Sequence, residues 1–191
     1  MNIFQLKLIP RLVLASLPLF ASPWLDEIFR RLTGWSQLFF SETYGPLFGL
    51  LVLAPFITAT RARTIRAIAL CVVTYAVYYA ATWCVIETQS PLEGWFETEF
   101  FRFSNVVPVA VVATLALAAA TAWIAPLRAS RRYWIYAGLA GLATGLEFWI
   151  IDAINPSGRY MDWLFVLQPF WIWPVSTCVA IYFGRDREST N

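Results

Sequence analysis

The sequence predicts an all-α polytopic membrane bundle, with about six transmembrane helices and two interfacial segments on the outer side. Two observations predict it. Hydrophobic residues make up 59% of the 191-residue chain and charged residues only 14%, against about 25% charged in soluble domains. Six segments, separated by short Arg-rich clusters, also approach the roughly 20 apolar residues that a helix needs to cross a bilayer. Residues 1–191 read as a single membrane domain, with no soluble domain, linker or internal repeat.

The first span, 9–25, is the shortest. Lys7 and Arg11 precede or open it, and Pro18 and Pro23 interrupt it. Pro23 directly after Ala21 and Ser22 makes a poor cleavage site, so the segment reads as a retained span. Residues 26–43 continue the helical spacing of Leu25, Ile28, Phe29 and Leu32, with Asp26, Glu27, Arg30 and Arg31 between them. That pattern fits a short helix lying in the interface. The second and third spans are 44–60 and 65–86. A second interfacial segment, 88–105, mixes Trp95, Phe96, Phe100, Phe101 and Phe103 with Glu93, Glu97 and Glu99. The remaining spans are 106–126, 133–153 and 163–184.

Six crossings alternate the loops between two sides. One side collects Lys7, Arg11, Arg61, Arg63, Arg66, Arg128, Arg131, Arg132, Arg185 and Arg187; the other holds Arg30, Arg31, Arg102 and Arg159. Cytoplasmic loops carry the excess of Lys and Arg, so both termini are expected in the cytoplasm, and the membrane is expected to be a bacterial inner membrane. Ten Trp, fifteen Phe and eight Tyr suit the aromatic belts of a bilayer.

Composition also excludes. With no histidine, Ser-His-Asp triads, Cys-His pairs and the usual zinc sites drop out. Cys71, Cys84 and Cys178 all fall within apolar spans, an odd set that argues against a disulfide framework. No metal site and no cofactor are expected. A formal net charge of +2, carried in topology clusters, suggests no nucleic-acid partner. The expected partners are the lipid bilayer and a membrane protein.

Few residues are placed to carry chemistry. Glu147 lies within the fifth span, about 21 Å from its start at 1.5 Å per residue. A carboxylate at that depth is expensive unless it faces protein or water. It reads either as a proton or cation site or catalytic acid, or as a structural hydrogen bond to a neighbouring helix. Its helical face also holds Tyr136, Ala140 and Thr144. Tyr75, Tyr79 and Thr82 of the third span are the facing hydroxyls expected to bond it. Glu87, Asp152 and Arg159 gather at the outer ends of spans, where Arg159 could pair with Asp152 or clamp a phosphate. Asp162 suits the cap of the last span. Gln168-Pro169 and Trp173-Pro174 interrupt that span, either lining a cavity or making a packing kink. Gly138, Gly141 and Gly145 form a small-residue face for close helix packing, with the Ala-rich stretch 109–122 as its partner.

From residue 105 to 184 the chain resembles the VanZ-like family of small membrane proteins. The matching pieces are Asn105-Val106-Val107-Pro108, the basic run Arg128-Ala129-Ser130-Arg131-Arg132, the inward Glu147, and Arg159-Tyr160-Met161-Asp162. It departs from the family at Ile150 and at Leu167-Gln168-Pro169. The resemblance implies an envelope role linked to glycopeptide resistance, with no reaction to carry over. Three functions are then expected in order: a non-enzymatic envelope subunit of partner-binding, resistance or immunity type; a small permease or solute-binding subunit with Glu147 in its site; and a membrane enzyme acting on a lipid headgroup.

Overall fold

A computed structural model describes residues 8–33, 43–57, 62–89, 98–154 and 163–184. Side chains are described over 8–28, 30–32, 43–57, 62–84, 105–150 and 172–184. The regular structure is helical: α1 (Leu8–Thr33), α2 (Tyr44–Phe48), α3 (Arg63–Gln89), α4 (Thr98–Ile124), α5 (Arg131–Ile154) and α6 (Trp163–Gly184). Among the described residues, three helical stretches are long and apolar enough to cross a membrane: Leu8–Leu32, Arg63–Cys84 and Asn105–Ile124. At 24 and 22 residues, α5 and α6 reach about 36 and 33 Å, but Glu147, the glycines and the Tyr and Trp residues dilute the apolar character of α5.

Each helix packs on the next in the chain, and α6 returns to α1. Neighbours run antiparallel, as short connections demand. Along α5 from Gly141 to Gly145, the backbone met on α4 falls from Val111 to Val107. Likewise Gly45 and Gly49 meet Tyr75 and Cys71 of α3 in descending order. Arg11 near the start of α1 lies close to Tyr182 near the end of α6. The helices therefore alternate in direction around a closed ring.

Three expectations need correction. The first helix does not stop at residue 25 to release a separate interfacial helix over 26–43. It continues through Pro18 and Pro23 to Thr33. A proline within a helix loses one hydrogen bond, and here the remaining ladder holds on both sides. Asp26 is only 3% exposed, so it does not lie on an interfacial face. Its Oδ1 accepts the backbone N–H of Thr43 at 2.9 Å, and the Thr43 hydroxyl donates to the Ser22 carbonyl at 3.2 Å. These bonds tie the end of α1 to the start of α2.

The second correction concerns the span over 44–60. There the chain makes α2, a π turn (Gly49–Leu53) and a 3-10 turn (Ala54–Phe56), and Ile57 then turns extended. Those 5, 5 and 3 residues extend about 20 Å, well short of the roughly 30 Å hydrocarbon core. The segment is also the most interior part of the ring, with Tyr44, Phe48, Val52, Leu53, Phe56 and Ile57 all buried. Glycine explains the depth. A Cβ at Gly45 would lie 2.8 Å from the Cα of Tyr75, and one at Gly49 would lie 2.7 Å from the Cα of Cys71, so the two backbones touch. Pro55 lacks the N–H that would continue the α pattern.

The third correction concerns the interfacial segment over 88–105. The helix α3 runs to Gln89, and α4 already begins at Thr98 and passes through Pro108. Residues 90–97 lie outside the described part.

Candidate functional site

The interior of the ring between α4, α5 and α6 is knit by hydroxyls. Thr114 of α4 donates to its own Ala110 carbonyl at 2.8 Å and accepts the indole N–H of Trp173 from α6 at 2.9 Å. The Trp173 carbonyl accepts from Ser176 at 3.1 Å. The Ser176 hydroxyl lies 3.3 Å from that of Thr144 on α5, which also donates to Ala140 at 2.9 Å. Inside an apolar span a threonine hydroxyl must find an acceptor, and the carbonyl one turn back is always within reach. Within this group of hydroxyls, Trp173 and the Thr144–Ser176 pair make the connections between helices. The Trp173 ring also packs on Phe48, with centroids 5.5 Å apart, which brings the α2 segment into the same level.

Glu147 sits three residues beyond Thr144 on α5 and is partly buried. Its Oε2 is fully enclosed and has no hydrogen-bond partner among the described residues. The facing hydroxyls expected from α3 do not serve it. Tyr75 and Tyr79 point outward and are exposed, and Thr82 donates to the Tyr78 carbonyl at 2.9 Å. The reason is the ring order: α5 packs on α4 and α6, not on α3. A buried carboxyl oxygen without a partner is costly and marks Glu147, among the site residues whose side chains are described, as one whose surroundings call for a ligand, a proton or a function.

The other residues singled out in the sequence are placed less fully. Glu87 lies in the last turn of α3, Asp152 in the last turn of α5 and Gln168 near the start of α6; their side chains lie outside the described part. Arg159 and Asp162 lie outside it altogether. The alternating helix directions do put the ends of α3 and α5 and the start of α6 at one end of the bundle. The last helix runs unbroken through Pro169 and Pro174.

Gly141 and Gly145 are the points where α5 touches α4. A Cβ at Gly141 would stand 2.6 Å from the Cα of Val111, and one at Gly145 would stand 2.7 Å from the Cα of Val107. Gly138 does not belong with them, since a Cβ there would meet nothing within 4 Å. At 100° per residue Gly138 is only about 20° from Gly145 in azimuth, but it lies two turns, about 10 Å, back along the axis, where α4 is no longer in contact with it. The start of α5 is held by Tyr133 instead. Its buried hydroxyl donates to the Ala118 carbonyl at 2.7 Å, and Gly184 of α6 lies against its backbone.

Two features carried no signal strong enough to be read from sequence. Arg11, which looks like a flanking charge, is 2% exposed, with its guanidinium 4.3 Å above the Phe56 ring and 6.0 Å from that of Tyr182. Tyr75, Tyr79 and Trp83 form a ladder on the outward face of α3, with centroids 6.2 and 6.5 Å apart and the last pair stacked at 11°. From sequence, Tyr75 and Tyr79 are expected to turn inward, toward Glu147.

The chain matches no family model, no curated protein and no solved structure. The site is therefore argued from its own residues.

Proposed function

We propose that the protein is a non-enzymatic, multi-pass subunit of a bacterial inner membrane. On this reading it crosses the bilayer six times with both termini in the cytoplasm, and it works by holding a partner membrane protein. The observation that carries this is the α3 ladder. Tyr75 and Tyr79 are 38% and 39% exposed and Trp83 is 45% exposed. Counted from Ile65, Tyr75 lies about 15 Å along α3 at 1.5 Å per residue, near the middle of a roughly 30 Å hydrocarbon core. Trp83 at a headgroup level needs no partner, but the Tyr75 hydroxyl, facing hydrocarbon, costs about 2–7 kcal/mol unless it is hydrogen-bonded. A partner helix offering an acceptor and a flat face for the rings satisfies both needs. The resemblance of residues 105–184 to VanZ-like proteins supports an envelope placement.

The partner reading is tested by a photoreactive benzoylphenylalanine at position 79 in native membranes. A discrete protein adduct is expected there and not from position 139, which also faces outward, on α5. Lipid adducts alone from position 79 would remove the reading. Replacing Tyr75, Tyr79 and Trp83 together by leucine should abolish the adduct formed from a neighbouring position, Val72, while thermal stability stays near wild type, since exposed positions away from special contacts usually shift stability by only about 0.5 kcal/mol.

The orientation has its own test. Reporters fused after Arg63, after Arg131 and at the C-terminus should all read out in the cytoplasm, following the ten-to-four distribution of basic residues. A periplasmic reporter at the C-terminus would rule out six crossings. This test bears most directly on the short α2 segment, whose length falls below that of an ordinary span.

The second reading, a small permease or solute-binding subunit, is favoured by one observation, the enclosed Oε2 of Glu147. Its test is Glu147→Gln. If the carboxyl is a proton or cation site, the variant should fold with wild-type yield and lose cation-dependent flux in proteoliposomes. Unaltered flux would leave Glu147 a structural group.

A further inference from the structure

We infer that the partner seated on the outward face of α3 is a second copy of this chain, so that the protein pairs as a parallel homodimer along α3. The inference rests on the partner-binding reading above and names the partner.

The spacing comes first. Ile65, Ile68, Val72, Tyr75 and Tyr79 follow one another at alternating steps of three and four residues, and all five are exposed. That alternation keeps a narrow line of side chains in register with a facing helix. The inward sides of α3 are already covered by α2 and α4.

The face is also complementary to itself. Copies of one chain insert in a membrane in the same sense, so a closed pair has its two-fold axis along the membrane normal. Each level of α3 then meets the same level of the other copy, and each flank meets the opposite flank. At 100° per residue, Val72 and Tyr79 lie about 20° apart and mark the centre, with Ile68 and Tyr75 about 40–60° to one side and Ala76 and Ala80 about 40–80° to the other. Ala76 and Ala80 are exposed as well. A bulky flank thus meets a flank of small side chains, where helix backbones come close.

That groove also answers the need of the Tyr75 hydroxyl. The same chain shows the contact once already. Tyr133 of α5 donates its hydroxyl to the Ala118 carbonyl of the alanine-rich α4 at 2.7 Å. Tyr75, laid into the Ala76–Ala80 groove of the second copy, donates in the same way to a helix carbonyl that no large side chain screens. The area suffices. At roughly 200 Å² for a whole large side chain, the exposed parts of Ile65, Ile68, Val72, Tyr75, Tyr79 and Trp83 come to about 600 Å² per copy, so that two copies offer about 1,200 Å², the lower end for a specific complex.

The experiment uses the full chain in native membranes. Cys71, Cys84 and Cys178 are replaced by alanine, and a single cysteine is placed by Val72→Cys. Oxidation with copper phenanthroline should give a band of twice the chain mass, because the two-fold axis brings position 72 against itself. Leu139→Cys in the same background should give none. The benzoylphenylalanine adduct from position 79 should likewise have twice the chain mass, and it decides unaided should the cysteine-free background fail to fold. Adding Ala76→Leu and Ala80→Leu fills the groove and should remove the doubled band, while helical content stays at the wild-type level. In energy transfer between labelled copies diluted in lipid vesicles, Tyr75→Phe should weaken pairing about eightfold, since each copy loses one interhelical hydrogen bond. An adduct from position 79 to a different protein overturns self-pairing and leaves the partner-binding reading in place, whereas lipid adducts alone overturn both. Self-pairing is also overturned if positions 72 and 139 cross-link alike, or if the folded Ala76→Leu, Ala80→Leu variant keeps its doubled band.

Discussion

Leucine at position 141 or 145 should collapse the yield of folded protein in detergent, while leucine at 138 should leave it near wild type. At both sensitive positions the first added carbon falls 2.6–2.7 Å from a backbone Cα of α4. A side chain in the way could change rotamer, but a backbone has to move as a helix, and α4 is held on its other side by α3. Overpacking a tight core costs about 1–3 kcal/mol, occasionally more, against a total stability of about 5–15 kcal/mol. The larger end is expected here because the obstruction is main chain. Gly138 supplies the control: a side chain there enters open space, and replacing a mid-helix glycine gains up to about 1 kcal/mol of helix propensity. Size-exclusion elution and melting temperature of the three variants check this. Wild-type behaviour at 141 and 145 would mean that α4 and α5 do not meet at their backbones. Collapse at 138 as well would mean that any bulk on α5 is harmful.

The second large effect is expected at Trp173. From α6 its ring packs on Phe48 of α2, and its N–H reaches Thr114 on α4, so it links three elements that come apart when it is cut back. Trp173→Ala should destabilise the fold by about 3–5 kcal/mol, the usual range for losing a large buried aromatic. Trp173→Phe keeps most of the ring contact with Phe48 and removes only the hydrogen bond. Interhelical hydrogen bonds in membrane proteins average about 0.6 kcal/mol, so this variant should lose far less. Thr114→Val removes the acceptor and leaves the indole N–H buried without a partner. Combining it with Trp173→Phe should therefore cost less than the sum of the two single changes. Melting temperatures of the four proteins test the coupling. Strict additivity would mean that the 2.9 Å contact carries no stability.

Much of this architecture was legible before any coordinates. Apolar length and the scarcity of charge are enough for a helical membrane chain, because a backbone in hydrocarbon must satisfy its own hydrogen bonds. Gly141 and Gly145 were legible as a contact because small residues four apart align on one face. The equivalent pair Gly45 and Gly49 was not singled out, although it shortens and buries the second segment. Hydropathy registers how apolar a segment is, not whether its neighbours are lipid or protein, so a protein-enclosed segment and a lipid-facing span look alike over 44–60. The site was harder still. Glu147 stood out because an intramembrane carboxylate is rare, but its surroundings depend on which helices are neighbours, and α3 proved not to be one.

Helical class, the apolar segments and the strong bias of arginine toward one set of loops are properties of local composition, and the chain states them residue by residue. Neighbour relations are not local. That α6 closes the ring on α1, that Arg11 is swallowed between Phe56 and Tyr182, and that Tyr75, Tyr79 and Trp83 turn outward follow from how helices of different lengths and small-residue faces nest against one another. Period and hydropathy fix a residue's azimuth on its own helix, but only packing fixes what stands opposite.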